Sequence, residues 1–198
     1  MGGKGLGAVT DTGEKKVKKT ILLVLSPWVL VLGILGGCGY TTRSMIADKF
    51  KTIYIEPFVN KIDITKESDA ANKYKINKPM LETDITNSVV NKFLSDGNLR
   101  IASKESADLI LRGELVEFRR DALRYNENDD VEEYRLNLVV NITLWDSRED
   151  KAVWQENNFT GDTTYFTRGS LAKSEDTAAN DALADLSRRI VERAVEQW

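Results

Sequence analysis

Residues 131–145 read Val131-Glu132-Glu133-Tyr134-Arg135-Leu136-Asn137-Leu138-Val139-Val140-Asn141-Ile142-Thr143-Leu144-Trp145. Tyr134, Leu136, Leu138, Val140, Ile142 and Leu144 alternate with Glu133, Arg135, Asn137, Asn141 and Thr143. Period two over this length predicts a strand with one buried face and one polar face, the mark of a sheet covered on one side only. The strand stops at Asp146-Ser147-Arg148-Glu149-Asp150, whose polar run predicts a hairpin turn. A partner strand follows over residues 152–159, with an extension toward Phe166. Upstream, residues 107–118 predict a strand with Leu109, Leu111 and Leu115 on one face. Ile110, Val116 and Phe118 then fall on the other, with Arg112 and Glu114. Residues 51–58, rich in β-branched and aromatic side chains and stopped by Pro57, predict a first strand.

Two helices complete the pattern. Leu81, Ile85, Val89 and Phe93 recur every four residues over 79–96. Pro79 suits the first turn and Gly97 the position past the end. Residues 174–198 carry a second stripe, Ala179, Leu183, Leu186, Ile190, Ala194 and Trp198. Arg188, Arg189 and Arg193 fall in its second half, where the helix dipole favours cations. Residues 60–77 are polar and read as a loop. The order is β-α-β-β-β-α, which predicts an α+β two-layer sandwich, a four-stranded sheet packed by two helices.

The chain has 198 residues, no histidine and one cysteine. Histidine is the usual proton-transfer side chain near neutral pH, and histidine and cysteine are the usual zinc ligands. Their scarcity argues against triad and zinc chemistry, and no carboxylate pair stands out for another reaction. The sequence therefore predicts a protein that is not an enzyme, with no metal and no cofactor. Residues 38–198 hold 23 of the 28 basic and 29 of the 31 acidic side chains, a net charge of −6. That balance opposes nucleic-acid binding, which wants a basic surface.

The leader has its own logic. Residues 1–19 end in a lysine cluster, and residues 21–37 run for seventeen positions without a charge. Leu35-Gly36-Gly37-Cys38 follows. A positive segment, an apolar segment and small residues at a cut site predict a signal peptide. A permanent membrane helix is the alternative, but the stretch is at the short limit for spanning and Pro27 and Gly33 interrupt it. Leu35, Gly36, Gly37 and Cys38 resemble the lipobox of bacterial lipoproteins. The resemblance implies a covalent lipid on Cys38, removal of residues 1–37, and a lipidated linker over 38–50 before a domain over 51–198. Gly39, where an aspartate would favour inner-membrane retention, implies the outer membrane, periplasmic side. Several acyl chains hold a protein stably where one does not.

Other motifs carry little. The Gly-rich residues 2–7 lie in the leader with no strand before them, so they are no phosphate loop. Asp129, Asp130, Glu132 and Glu133 lack calcium-loop spacing and read as a solvated turn. Arg119, Arg120 and Arg124 fall just beyond the second predicted strand. They have two readings: a phosphate grip at a sheet edge, or a charged hairpin end that discourages edge-to-edge association.

From Cys38 onward the chain resembles the lipopolysaccharide-assembly outer-membrane lipoproteins, the LptE-related family. The resemblance is carried by Cys38-Gly39-Tyr40, residues 53–58, 81–87, 107–114, 134–136, 154–156 and the closing Ala-rich helix. It implies the same two-layer fold. It also implies a plug and assembly partner of a large outer-membrane β-barrel lipopolysaccharide translocon (LptD-like), with lipopolysaccharide as a ligand of basic residues. Arg119, Arg120 and Arg124 are the local candidates for that contact. A different lipoprotein scaffold, such as a cell-wall synthase activator or a secretion-channel subunit, is the competing reading.

Overall fold

The computed structural model describes residues 49–62 and 78–195. The chain divides into two units, Met1–Thr42 and Arg43–Trp198, and every described residue belongs to the second. Leu35, Gly36, Gly37 and Cys38, and Trp198 of the last stripe, lie outside the described residues.

Among the described residues six strands form one sheet: β1 (Thr52–Ile55), β2 (Val59–Asn60), β3 (Arg100–Ile101), β4 (Leu109–Tyr125), β5 (Val131–Asp146) and β6 (Lys151–Phe166). The long helices of the described residues are α1 (Leu81–Asp96) and α2 (Glu175–Val195). The expected four-stranded sheet is therefore corrected to six, in the chain order β-β-α-β-β-β-β-α. The additions are β2 and β3, each of two residues. So short a strand shows no periodicity. It exists because a neighbour's ladder is already in place.

The path across the sheet is β3-β1-β4-β5-β6, with β2 also on β4. The β3-β1-β4 and β2-β4 pairs are parallel, whereas β4-β5-β6 is an antiparallel meander. Ile53, Ile55, Leu109, Leu111, Leu136, Leu138, Val140, Ile142 and Leu144 turn to one face and are buried. Leu81, Ile85, Val89 and Phe93 of α1 and Ala182, Leu186 and Ile190 of α2 close over them in a single core.

Two expected details change. β4 runs to Tyr125, so Arg119, Arg120 and Arg124 lie within the strand and not beyond it. Phe118 faces the core at 1% exposure, against the alternation read from sequence. The register explains it: Leu115 pairs Val140 and Glu117 pairs Val139, leaving Val116 as an extra residue. A bulge of one residue inverts the face of everything after it. Pro79 precedes α1 instead of starting it, and Met80 takes the left-handed conformation (φ 60°) at the boundary. Gly97 ends the helix as expected, at φ 76°, with its N–H donating to the Phe93 carbonyl at 3.1 Å.

Two glycines set the layer spacing. A Cβ on Gly113 would lie 2.1 Å from Cε1 of Phe58, whose buried ring fills the space beside that strand. A Cβ on Gly161 would lie 2.4–2.6 Å from Cβ, Cα and N of Leu186. Gly161 is thus where the backbone of α2 rests on β6. Asp162 next to it donates its backbone N–H to Asp185 Oδ2 at 3.1 Å, so a helix side chain satisfies an edge-strand donor. Arg189 pairs with Asp162 at 3.1 Å, and Arg193 bonds Glu156. Two of the three cations read as dipole partners, Arg189 and Arg193, thus also strap α2 to the sheet edge, whereas Arg188 bonds Asp185 and Glu192 of its own helix.

Candidate functional site

Both helices pack on one face of the sheet, and no described element covers the other. The open face is built from the odd-numbered residues of β5 and their partners. Arg112, Thr143 and Gln155 form one cross-strand row. Arg119, Asn137 and Asp162 form another, with Glu117 beside Arg119 along β4. Near the break between β1 and β2 the face is concave, lined by Glu56, Arg112, Glu114, Asn141, Gln155 and Asn157. There Glu56 accepts from Lys104 and, at 3.1 Å, from Arg112 Nε. The hydrogen bond from Lys104 holds the Glu56 carboxyl below its ordinary value. Arg112 in turn lies over the Trp145 ring, 5.0 Å from its centroid.

The three candidate arginines do not form one site. Adjacent residues in a strand face opposite ways, and the contacts agree. Arg119 is on the open face, where Nε donates to Asp121 Oδ2 at 3.0 Å and Nη1 to Glu117 Oε2 at 3.3 Å. Asn137, only 7% exposed, donates to the same Asp121 oxygen at 2.9 Å. Arg120 is on the helix side. It bonds Glu175 in the first turn of α2 and stacks 4.7 Å above the Tyr134 ring. Tyr134 stacks on Tyr165, whose hydroxyl donates to Glu175 at 3.3 Å. Burial works against the Arg120 charge, but Tyr165 and Glu175 outweigh it and raise its pKa. Arg124 returns to the open face after a second bulge at Leu123. It pairs with Glu133 at 3.7 Å and lies 5.9 Å from the Phe166 ring. The sequence left a phosphate grip and a charged hairpin end open for these cations; the fold gives each a carboxylate partner, and Arg120 ties β4 to α2.

The sheet has two distinct ends. At one, the turn between β5 and β6 meets the start of the described chain. Asp108 Oδ2 accepts the backbone N–H groups of Lys51 and Thr52 at 2.8 and 3.1 Å. Phe50 is buried between Lys49 and Arg148, 4.9 and 4.7 Å from its ring centroid. Burial would raise the Asp108 pKa, but those two N–H groups and Arg148 lower it. At the other end is the β4–β5 turn, where Asp129 and Asp130 sit exposed. Asp129 is left-handed (φ 61°), and Asn126 Oδ1 accepts the N–H of Asn128 and of Asp130. A 17-residue strand separates the ends, roughly 55 Å at about 3.3 Å per residue. Among the described residues no cluster of three or more Cys, Asp or Glu could hold a metal ion.

The sequence reading missed the carboxylate partners of the arginines and the apolar residues Leu123, Tyr125 and Leu171, which stand exposed toward the β4–β5 turn. The only signal for the former was the local alternation of Glu117, Arg119 and Asp121.

The family model described as lipopolysaccharide-assembly (LptE) matches residues 50–194. No curated protein matches the chain significantly. Among solved structures, a minor lipoprotein from Acinetobacter baumannii is similar at 15% identity and TM-score 0.47, covering 74% of this chain and 94% of that one. Rare lipoprotein B from Shewanella oneidensis is similar at 12% identity and TM-score 0.37, covering 71% and 89%. The PelC dodecamer from Paraburkholderia phytofirmans is similar at 15% identity and TM-score 0.42, covering 76% and 91%. The model match takes in every strand and nearly all of the second helix, and the chain belongs to the LptE lipopolysaccharide-assembly family.

Proposed function

We propose that the protein is an outer-membrane lipoprotein, anchored by lipid on Cys38, that plugs and helps assemble an LptD-like β-barrel for lipopolysaccharide transport. The family match over residues 50–194 carries this reading. The open sheet face supports it. A face of paired charges and amides suits contact with the polar interior of a barrel, and it leaves the core undisturbed. Cys38 stands eleven residues before Lys49, which bounds the tether at about 40 Å of extended chain. The described chain begins at the Asp108 end of the sheet, opposite the β4–β5 turn. Residues 1–37 are removed as a signal peptide, with Leu35, Gly36 and Gly37 preceding the cut.

Lipopolysaccharide contact belongs to the open face. Arg119 and Arg124 are its candidates, and a phosphate there has to displace Asp121, Glu117 or Glu133. Charge-assisted bidentate pairing gives phosphate the geometry to compete. The reading needs no catalytic group. It is tested by purifying the tagged lipoprotein from membranes. A heat-modifiable barrel of large mass should accompany it, and Cys38→Ala should abolish fatty-acid labelling. Recovery of a peptidoglycan synthase or a secretion channel without such a barrel would overturn it.

A further inference from the structure

Six large apolar side chains are exposed among the described residues, and three of them, Leu123, Tyr125 and Leu171, lie at the end of the sheet that carries the β4–β5 turn. Leu123 is the residue that the second bulge pushes out of register. Tyr125 pairs with Val131 and is 55% exposed. Leu171, 70% exposed, precedes Ala172, which bridges to Phe166 at the end of β6. Single exposed apolar residues need no explanation, whereas several at one end of a sheet beside unpaired charge point to a contact surface.

The charge around this patch is one-sided. Glu127, Asp129, Asp130, Glu132 and Glu133 stand at the turn against Arg124 and Arg168, an excess of three negative charges. Both cations are already engaged, Arg124 with Glu133 and Arg168 with Asp130 at 3.1 Å. Glu127, Asp129 and Glu132 form no ion pair among the described residues. An anionic headgroup or a phosphate is repelled by such a field, while a cationic partner is drawn in.

We infer that the β4–β5 tip is a docking surface for a basic polypeptide segment, one that sets aliphatic side chains on Leu123, Tyr125 and Leu171 and lysines or arginines against Glu127, Asp129 and Glu132. This deepens the scaffold reading by naming the chemistry of the segment touched at the tip, and it rests on that reading for its biological setting. It also separates two jobs on one sheet: the tip holds protein, and any phosphate contact stays on the flank at Arg119.

The test is photo-cross-linking of the full-length lipoprotein in its own envelope. A photoreactive phenylalanine replaces Tyr125, and a control replaces Leu94, an exposed apolar residue of α1. Expected is a cross-linked peptide of another polypeptide, net positive and rich in aliphatics. Its yield should fall about tenfold when Glu127, Asp129 and Glu132 are all changed to Lys, because like charges are then opposed. Changing them to Gln, Asn and Gln should give a smaller loss, and this second variant guards against misfolding from reversed charge. Cross-links to lipid, to a second copy of this chain or to a neutral or acidic peptide would overturn the inference. So would yields no higher than at Leu94, or yields indifferent to the substitutions. Should the barrel still copurify while the basic cross-link is missing, the tip inference fails and the scaffold reading stands. A basic cross-link without any barrel has the opposite meaning.

Discussion

Replacing Gly161 with Ala adds one methyl group at the point where α2 lies on β6. The new Cβ would sit 2.4 Å from Leu186 Cβ, 2.5 Å from its Cα and 2.6 Å from its N. Ordinary carbon contacts are about 3.5–4.0 Å, so helix and strand must part by roughly 1 Å or more. Two of the three obstructing atoms are backbone, and no rotamer change relieves them. Overpacking of this kind costs about 1–3 kcal/mol. Separation also stretches the bond from the Asp162 N–H to Asp185, 3.1 Å long and one residue away, for about 1 kcal/mol more. The stiffer unfolded chain returns about 0.4–1 kcal/mol. The net is a loss of about 1–3.5 kcal/mol, or roughly 2–14 °C in Tm for a chain of this size. Thermal and urea melts of the purified protein measure it. Leu186→Ala should not rescue the variant, because alanine keeps all three obstructing atoms. Gly97→Ala is the control. Nothing lies within 4 Å of its Cβ, and only the positive φ costs, about 1–2 kcal/mol. A Gly161→Ala melt within 1 °C of wild type (about 0.3 kcal/mol) would refute the placement of α2 on this strand.

Other substitutions probe the two faces and the ends of the sheet. Leu138→Asp puts a charge at a site of 0% exposure and should cost at least about 4–5 kcal/mol; a cooperative melt at the wild-type midpoint would contradict the strand. Arg120→Ala should lower stability by about 1 kcal/mol, through lost stacking on Tyr134 and a partly exposed pair with Glu175. Arg119→Ala should change it by less than about 0.5 kcal/mol, so equal effects in a melt would undo the assignment of the two to opposite faces. Glu56, Asp108 and Asp185 all have folded pKa values below their ordinary 4.5, 3.8 and 3.8. Their stabilising contribution is complete above those ordinary values and is lost as pH falls through the lowered folded ones. Tm should therefore drop on acidification below about pH 4.5, and Asp108→Asn should flatten that drop. An acid limb as steep as wild type would show that the Lys51 and Thr52 contacts do not matter.

The fold was legible where burial forces a period. The six alternating apolar residues of β5 and the four-residue spacing of α1 must face a core, so their sequence reports their geometry. β2 and β3 were not legible, since each is two residues held by a neighbour's ladder and not by its own pattern. The bulge at Val116 was hidden for a different reason. An inserted residue shows only against its partner strand, and Leu115-Val116-Glu117-Phe118 reads as plain alternation until Val139 and Val140 are laid beside it. The face of Phe118 was misassigned on that account alone.

The candidate site followed the same rule. Arg119, Arg120 and Arg124 are close in sequence, and closeness suggested a cluster. A strand separates consecutive residues to opposite faces, and a bulge then decides to which face the third returns. Arg120 therefore meets Glu175, 55 residues away, a pairing that no local pattern contains. The consequence for function is specific. A phosphate meets Arg119 and Arg124 on the open face, whereas at Arg120 it competes with Glu175 for the guanidinium. Binding raises the melting temperature by mass action in either case, so the separating observable is local. If lipopolysaccharide contact used all three cations, Arg120 would leave Glu175 and the first turn of α2 would open, and its amide hydrogens would exchange faster. If it uses the open face alone, exchange in that turn is unchanged or slower, and hydrogen exchange with and without saturating lipopolysaccharide tells the two apart.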